Sequence, residues 1–136
     1  MAVRLGMKAM LFTAAWCGLG GAVGAVVRLS AGAIVAATLG RGYLWLATLL
    51  VNVAGCGLLG WLVGRDATGG LLANRPLLAA GFCGALTTFS TFALEVVQVG
   101  QRRPGVAAGL VAAHLICGGA ATWAGLTAAR HGGPLP

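Results

Sequence analysis

Four stretches of the chain, about 9–37, 43–64, 76–100 and 105–129, hold at most one charged or histidine side chain apiece. Each is as long as the ~20 residues that an α-helix needs to cross a hydrocarbon core about 30 Å thick. Their interruptions are Arg28, Glu95 and His114, and the second stretch has none. In lipid every backbone N–H and C=O must be satisfied internally, so an unbroken run of this kind is read as a helix. The residue balance closes the other routes. The apolar set makes up 59% of the chain and charged residues 8%, whereas a soluble domain is about 45–50% apolar and about 25% charged. Too few charges remain to coat a soluble globule, and disorder requires low hydrophobicity. The expected fold class is therefore an all-α membrane protein, residues 1–136 forming a single domain of four transmembrane helices.

The separators carry helix punctuation. Gly40-Arg41-Gly42 parts the first two spans, and Asp66 to Asn74 is polar and glycine-rich. Pro76 and Pro104 stand where a first helical turn tolerates proline. The N-terminal pattern of Arg4 and Lys8 before an apolar run imitates a signal peptide, but a signal core of 7–15 residues ends at a small-residue cleavage site, whereas this run goes from Ala9 to Val27, meets Arg28 and resumes to about Ala37. It is read as an uncleaved first span. Trp45 and Trp61 sit near the two ends of the second span, about 24 Å apart at ~1.5 Å per residue, as interfacial aromatics do. Gly20 and Gly24, Gly60 and Gly64, and Gly105 and Gly109 have the small-xxx-small spacing that lets helix backbones approach in lipid. The cysteines Cys17, Cys56, Cys83 and Cys117 lie in separate apolar runs and read as small buried hydrophobes.

The net charge of +7 comes from scattered basic residues, none in a run longer than Arg102-Arg103. A nucleic-acid surface needs a clustered patch, so no nucleic-acid partner is expected. The basic residues instead suit headgroup contact and a lipid bilayer partner. Four spans put Arg4, Lys8, Arg65, Arg75 and Arg130 on one side, against Arg41, Arg102 and Arg103 on the other. Five against three is a weak orienting bias. It leaves room for insertion both ways up and for an antiparallel pair of identical chains about a two-fold axis in the membrane plane.

The third span holds the chemistry: Gly81-Phe82-Cys83-Gly84-Ala85-Leu86-Thr87-Thr88-Phe89-Ser90-Thr91-Phe92. Gly84 and the threonine pair are weak helix formers, and a break near them would free backbone carbonyls at membrane depth. Such groups need partners, of which a cation is one. Alternatively each hydroxyl bonds back to its own helix. Phe89 and Phe92 share a helix face. They are either core or a pair of rings whose positive edges line an anion path. Asn52, in the middle of the second span, either joins two helices or presents its N–H groups to an anion. Arg28 and Glu95 are snorkelling or paired charges, and Arg28 is also a candidate vestibule charge. His114 reads as a packed or hydrogen-bonded histidine rather than a proton relay. No enzyme constellation is present: the two acidic residues, Asp66 and Glu95, supply no carboxylate pair, and no hydrolase, zinc or phosphate-loop motif occurs.

Gly20 to Arg28, Ala47 to Gly60, and Gly81 to Phe92 with Glu95, in that order and spacing, resemble the CrcB/Fluc family of small fluoride channels. The resemblance implies a dual-topology dimer with antiparallel subunits, a third helix broken near its middle, and fluoride passing through two pores. It places Asn52, Phe89 and Phe92 in the pore, with Thr88, Ser90 and Thr91 in the adjoining hydroxyl stretch. It also implies a structural sodium held on the dimer axis by the backbone carbonyls of Gly84 and Thr87, and no organic cofactor. The fourth span departs from the family pattern of a tyrosine followed by serine or threonine. His114, Cys117, Gly118 and Thr122 stand there, so His114 and Thr122 are the least secure part of a pore face. These departures raise a heterodimer with a homologous chain as the alternative to a homodimer. The expected role is passive export of cytoplasmic fluoride across the cell membrane, which lowers its toxicity. The rival readings are a small four-span drug/proton exchanger, which wants an accessible carboxylate in the first span, and a structural membrane assembly protein.

Overall fold

The computed structural model describes residues 2–66 and 75–130. Beyond Asp66, the polar linker to Asn74 lies outside the described residues. The architecture is all-helical. Helix α1 spans Ala2–Thr38, a 3₁₀ turn spans Arg41–Tyr43, and α2 spans Leu44–Gly64. The third crossing is built in pieces: α3 at Pro76–Cys83, wound as a π-helix, α4 at Gly84–Leu86, and α5 at Phe89–Gly100. Helix α6 spans Pro104–Arg130. Among the described residues there are four candidate membrane spans: Gly6–Thr38, Arg41–Gly64, Pro76–Gly100 and Pro104–Arg130.

The turn between α1 and α2 depends on Gly40, whose φ of 95° lies in the left-handed region where a side chain would be strained. Its carbonyl accepts the Tyr43 N–H at 3.1 Å. Pro76 opens α3 and Pro104 opens α6, positions where the missing N–H costs nothing.

Glycines set the two main helix contacts. Helix α2 lies along α6, and α1 lies along α3 and α4. At the first seam a Cβ on Gly60 would enter the Thr122 backbone, and one on Gly125 would enter the Gly57 carbonyl. At the second, Gly20 meets the Leu77 carbonyl, Gly24 the Phe82 carbonyl, and Gly81 the Cys17 carbonyl. Backbone against backbone is the packing that lipid-embedded helices favour. Gly105 and Gly109 do not take part, since the space beside each is open within the protomer. Leu62, Ala79 and Cys83 form a small core, with Leu58, Trp61 and Phe82 around it. Large apolar residues such as Leu29, Leu115, Ile116 and Trp123 are exposed, as a lipid-facing surface requires. All four cysteines are free thiols.

Candidate functional site

Between α4 and α5 the backbone runs extended through Thr87 (φ −80°, ψ 153°) and Thr88 (φ −148°, ψ 118°). An uninterrupted helix would aim the N–H groups of residues 88–91 at the carbonyls of residues 84–87. Two of those donors are redirected here. The Thr88 N–H is donated to Asn52 Oδ1 at 2.8 Å, away from Gly84. The Thr91 N–H is donated to Thr88 Oγ1 at 3.2 Å, away from Thr87, so Thr88 is the N-cap of α5. The Ala85 carbonyl accepts Arg28 Nε at 3.0 Å.

Asn52 closes the other half of its pairing by donating Nδ2 to the Thr88 carbonyl at 3.2 Å. Its amide therefore stands in for a neighbouring peptide group and holds the extended residue from α2. This is the helix-joining alternative of the sequence reading, and it leaves one Nδ2 hydrogen uncommitted. Gly55, one turn on, lies against the Thr87 methyl group, which a Cβ there would displace.

The hydroxyls divide by partner. Thr87 Oγ1 bonds back to the Cys83 carbonyl at 3.0 Å. Thr88 Oγ1 donates to Thr91 Oγ1 at 3.1 Å and lies 3.3 Å from Ser90 Oγ, so three hydroxyls form a connected cluster at the start of α5. Phe89 and Phe92 follow, with ring centroids 5.8 Å apart and planes at 59°. Phe92 is partly buried, whereas Phe89 is 78% exposed and projects out of the protomer. The His114 ring stacks on Phe92 at 4.2 Å and 39°. One turn past Phe92, Glu95 Oε1 accepts Thr48 Oγ1 at 2.8 Å.

A cavity of about 600 Å³ is lined by Arg28, Arg41, Thr48, Thr88, Thr91 and Glu95, among others. It joins Arg28 and Glu95 to the hydroxyl cluster. The structure thus brings together Asn52, Thr88, Ser90, Thr91, Phe92, Glu95 and His114. Gly84 lies at an exposed face, with open space where its side chain would be. Thr122 stays apart: its hydroxyl bonds back to Gly118 at 3.0 Å, and its backbone is the surface that meets Gly60. Thr48 was missing from the sequence reading. It lies four residues before Asn52, hence on the same helix face, and that spacing was the available signal. The bond from Arg28 to Ala85 had none, because it depends on how α1 meets the third crossing.

Fold and site together define a small multi-pass membrane protein with a polar interruption in its third crossing. The chain belongs to the CrcB family: residues 15–126 match the family described as CrcB-like protein, Camphor Resistance. It is 44% identical to the fluoride-specific ion channel FluC 2 of Rhodococcus jostii, over 79% of this chain and 90% of that one. It is 40% identical to the fluoride-specific ion channel FluC of Aeromonas salmonicida, over 71% and 74% of the two chains. Identity to the FluC channel of Azotobacter vinelandii is 39%, over 79% and 89%.

Proposed function

We propose that this protein is a fluoride-selective channel that lets cytoplasmic fluoride leave the cell passively. The observation that carries this is the interrupted third crossing. Asn52 takes up the Thr88 peptide, and the hydroxyl cluster leads directly to the two phenylalanine rings. A small anion gives up its water only where N–H or O–H donors and positive ring edges replace it, and these residues provide both without a fixed positive charge. An inside-negative potential favours exit by about 2.3 kcal/mol per 100 mV for one charge. Fluoride that entered as neutral hydrogen fluoride and dissociated inside would leave by this route.

The working unit in this reading is an antiparallel homodimer in the cell membrane, with two pores. The exposure of Phe89 supports it, since a ring facing away from its own protomer lines a path only beside a second copy. A structural sodium fits the same arrangement. The carbonyls of Gly84 and Thr87 have both lost their helical donors, to Asn52 and to Thr88 Oγ1, and Gly84 faces open space. These two carbonyls, from each of two copies, would hold the ion. Bound there, it supplies the positive charge that unpaired carbonyls at membrane depth need.

A drug/proton exchanger fits less well. Glu95 is the sole acidic residue within the four spans, and one of its oxygens is bonded to Thr48. Purified protein in liposomes, tested in parallel with fluoride, chloride and a cationic dye under proton gradients, separates the readings. Fluoride efflux without chloride efflux is expected. Dye movement driven by protons, or no transport at all, would sink the channel reading.

A further inference from the structure

Two buried acceptors flank Phe92 with no hydrogen to share. His114 Nδ1 lies 3.0 Å from the Leu110 carbonyl. A carbonyl only accepts, so in the neutral ring Nδ1 carries the hydrogen and Nε2 presents a bare lone pair. Nε2 is buried without a hydrogen-bond partner, and so is Glu95 Oε2. Glu95 lies one turn from Phe92 on α5, and His114 stacks on that ring from α6. Buried acceptors left unpaired are costly, and the missing element is a donor. We propose that His114 and Glu95 form a proton-binding site beside Phe92, in which a proton taken from water onto His114 Nε2 turns this side of the conduction path from anion-repelling to anion-attracting.

The inference rests on the channel reading above and adds a control to it. With His114 neutral, an anion passing Phe92 feels no positive charge from this side. With His114 protonated it feels a positive charge behind the Phe92 ring, although Nε2 itself stays buried. Glu95 provides the counter-charge, and the Phe92 face, 4.2 Å away, favours a cation stacked on it. The surrounding groups do not compete for this role. Helix α2 offers the neutral Thr48 and Asn52, with Cys56 against Gly118, one turn from His114. On α6 the next titratable side chain is Cys117, which is exposed. Arg28 and Arg41 line the Glu95 cavity and add a fixed positive charge to it, with Arg28 Nε held by the Ala85 carbonyl.

Electrical recording tests this cleanly, because neutral hydrogen fluoride carries no current. In planar bilayers at fixed fluoride, lowering pH from about 8 to about 5.5 crosses the histidine range. Fluoride current is expected to rise at least about twofold, as a new charge beside the path would cause. His114→Gln keeps an N–H donor but cannot titrate, and its profile should be flat. Glu95→Gln removes the counter-charge and should alter the pH profile. A flat parent profile, an unchanged rise in His114→Gln, or a parent-like profile in Glu95→Gln would each overturn the proposal. A second readout needs no fluoride and no site variant. The chain's other histidine is His131, so in a His131→Gln background, NMR of carbon-labelled histidine in lipid nanodiscs follows one imidazole. Its protonation should change over the same pH range in which the current rises, and a ring that stays neutral throughout defeats the idea. A ring that titrates in a protein passing no fluoride at any pH supports the proton site and overturns the channel reading instead.

Discussion

In the channel reading Asn52 would have two tasks that pull in different directions. Both ends of its amide are engaged by Thr88, and one Nδ2 hydrogen is left over, which that reading gives to an anion. Asn52→Leu therefore orphans an N–H and a carbonyl at membrane depth, at about 1–3 kcal/mol for each group. A lowered melting temperature in detergent, together with lost flux, is the expected outcome. A variant as stable as the parent would show that Thr88 finds other partners. The phenylalanines separate chemistry from bulk. Isoleucine fills much of the same space without a positive ring edge, so Phe92→Ile and Phe89→Ile should each fold and assemble as the parent does. Fluoride flux should fall about tenfold or more, equivalent to about 1.4 kcal/mol of lost stabilisation along the path. Parent-like flux in both variants would defeat the ring-edge argument.

Helix α2 makes its closest approach to α6 through glycine. The Gly60 and Gly125 positions have no room for a methyl group, because main-chain atoms stand where it would go. Backbone cannot step aside as a flexible side chain can. Gly60→Ala or Gly125→Ala should destabilise by about 1–3 kcal/mol, the usual cost of overpacking. Gly109→Ala, on the same helix with open space beside it, should leave the isolated protomer unaffected. Size-exclusion profiles and thermal melts of the three variants compare them directly. Equal losses at all three would mean that the α2–α6 seam is looser than its geometry. The π-wound Pro76–Cys83 stretch puts the Gly81 main chain against Cys17, so the α1 contact is likewise made by backbone rather than by side-chain interdigitation.

At the level of the assembly, the weak basic asymmetry and the outward Phe89 bear on the same question. A chain that inserts both ways up should show a C-terminal tag accessible to impermeant label from each side of the membrane. The same chain expressed alone should conduct fluoride without a partner. One-sided labelling, or protein silent until a homologous chain is added, would favour the heterodimer. The proposed axial ion would have a separate signature. If carbonyls of Gly84 and Thr87 from two copies hold sodium, replacing sodium by a large organic cation during purification should lower dimer stability, read as a drop in melting temperature. Indifference to sodium would remove the ion from the proposal.

The number of crossings, the all-helical class and the family were legible in the sequence, because they follow from local quantities. Apolar run length decides what must be helical in lipid, Pro76 and Pro104 mark helix starts, and the Gly81–Phe92 stretch is contiguous. The hydroxyl cluster was legible as composition, but its wiring was not. Nothing in the order of residues distinguishes Thr87, which bonds back to its own helix, from Thr88, which caps the next one. That division follows from where Asn52 arrives. The spacing of Gly105 and Gly109 equals that of Gly60 and Gly64, yet one pair faces open space and the other meets a neighbouring helix. Spacing fixes the face of a helix, and only packing decides what stands opposite it. The same holds for His114. Its ordinary bond to Leu110 is a local helical contact, whereas its stacking on Phe92 and its bare, buried Nε2 exist only because α5 and α6 come together.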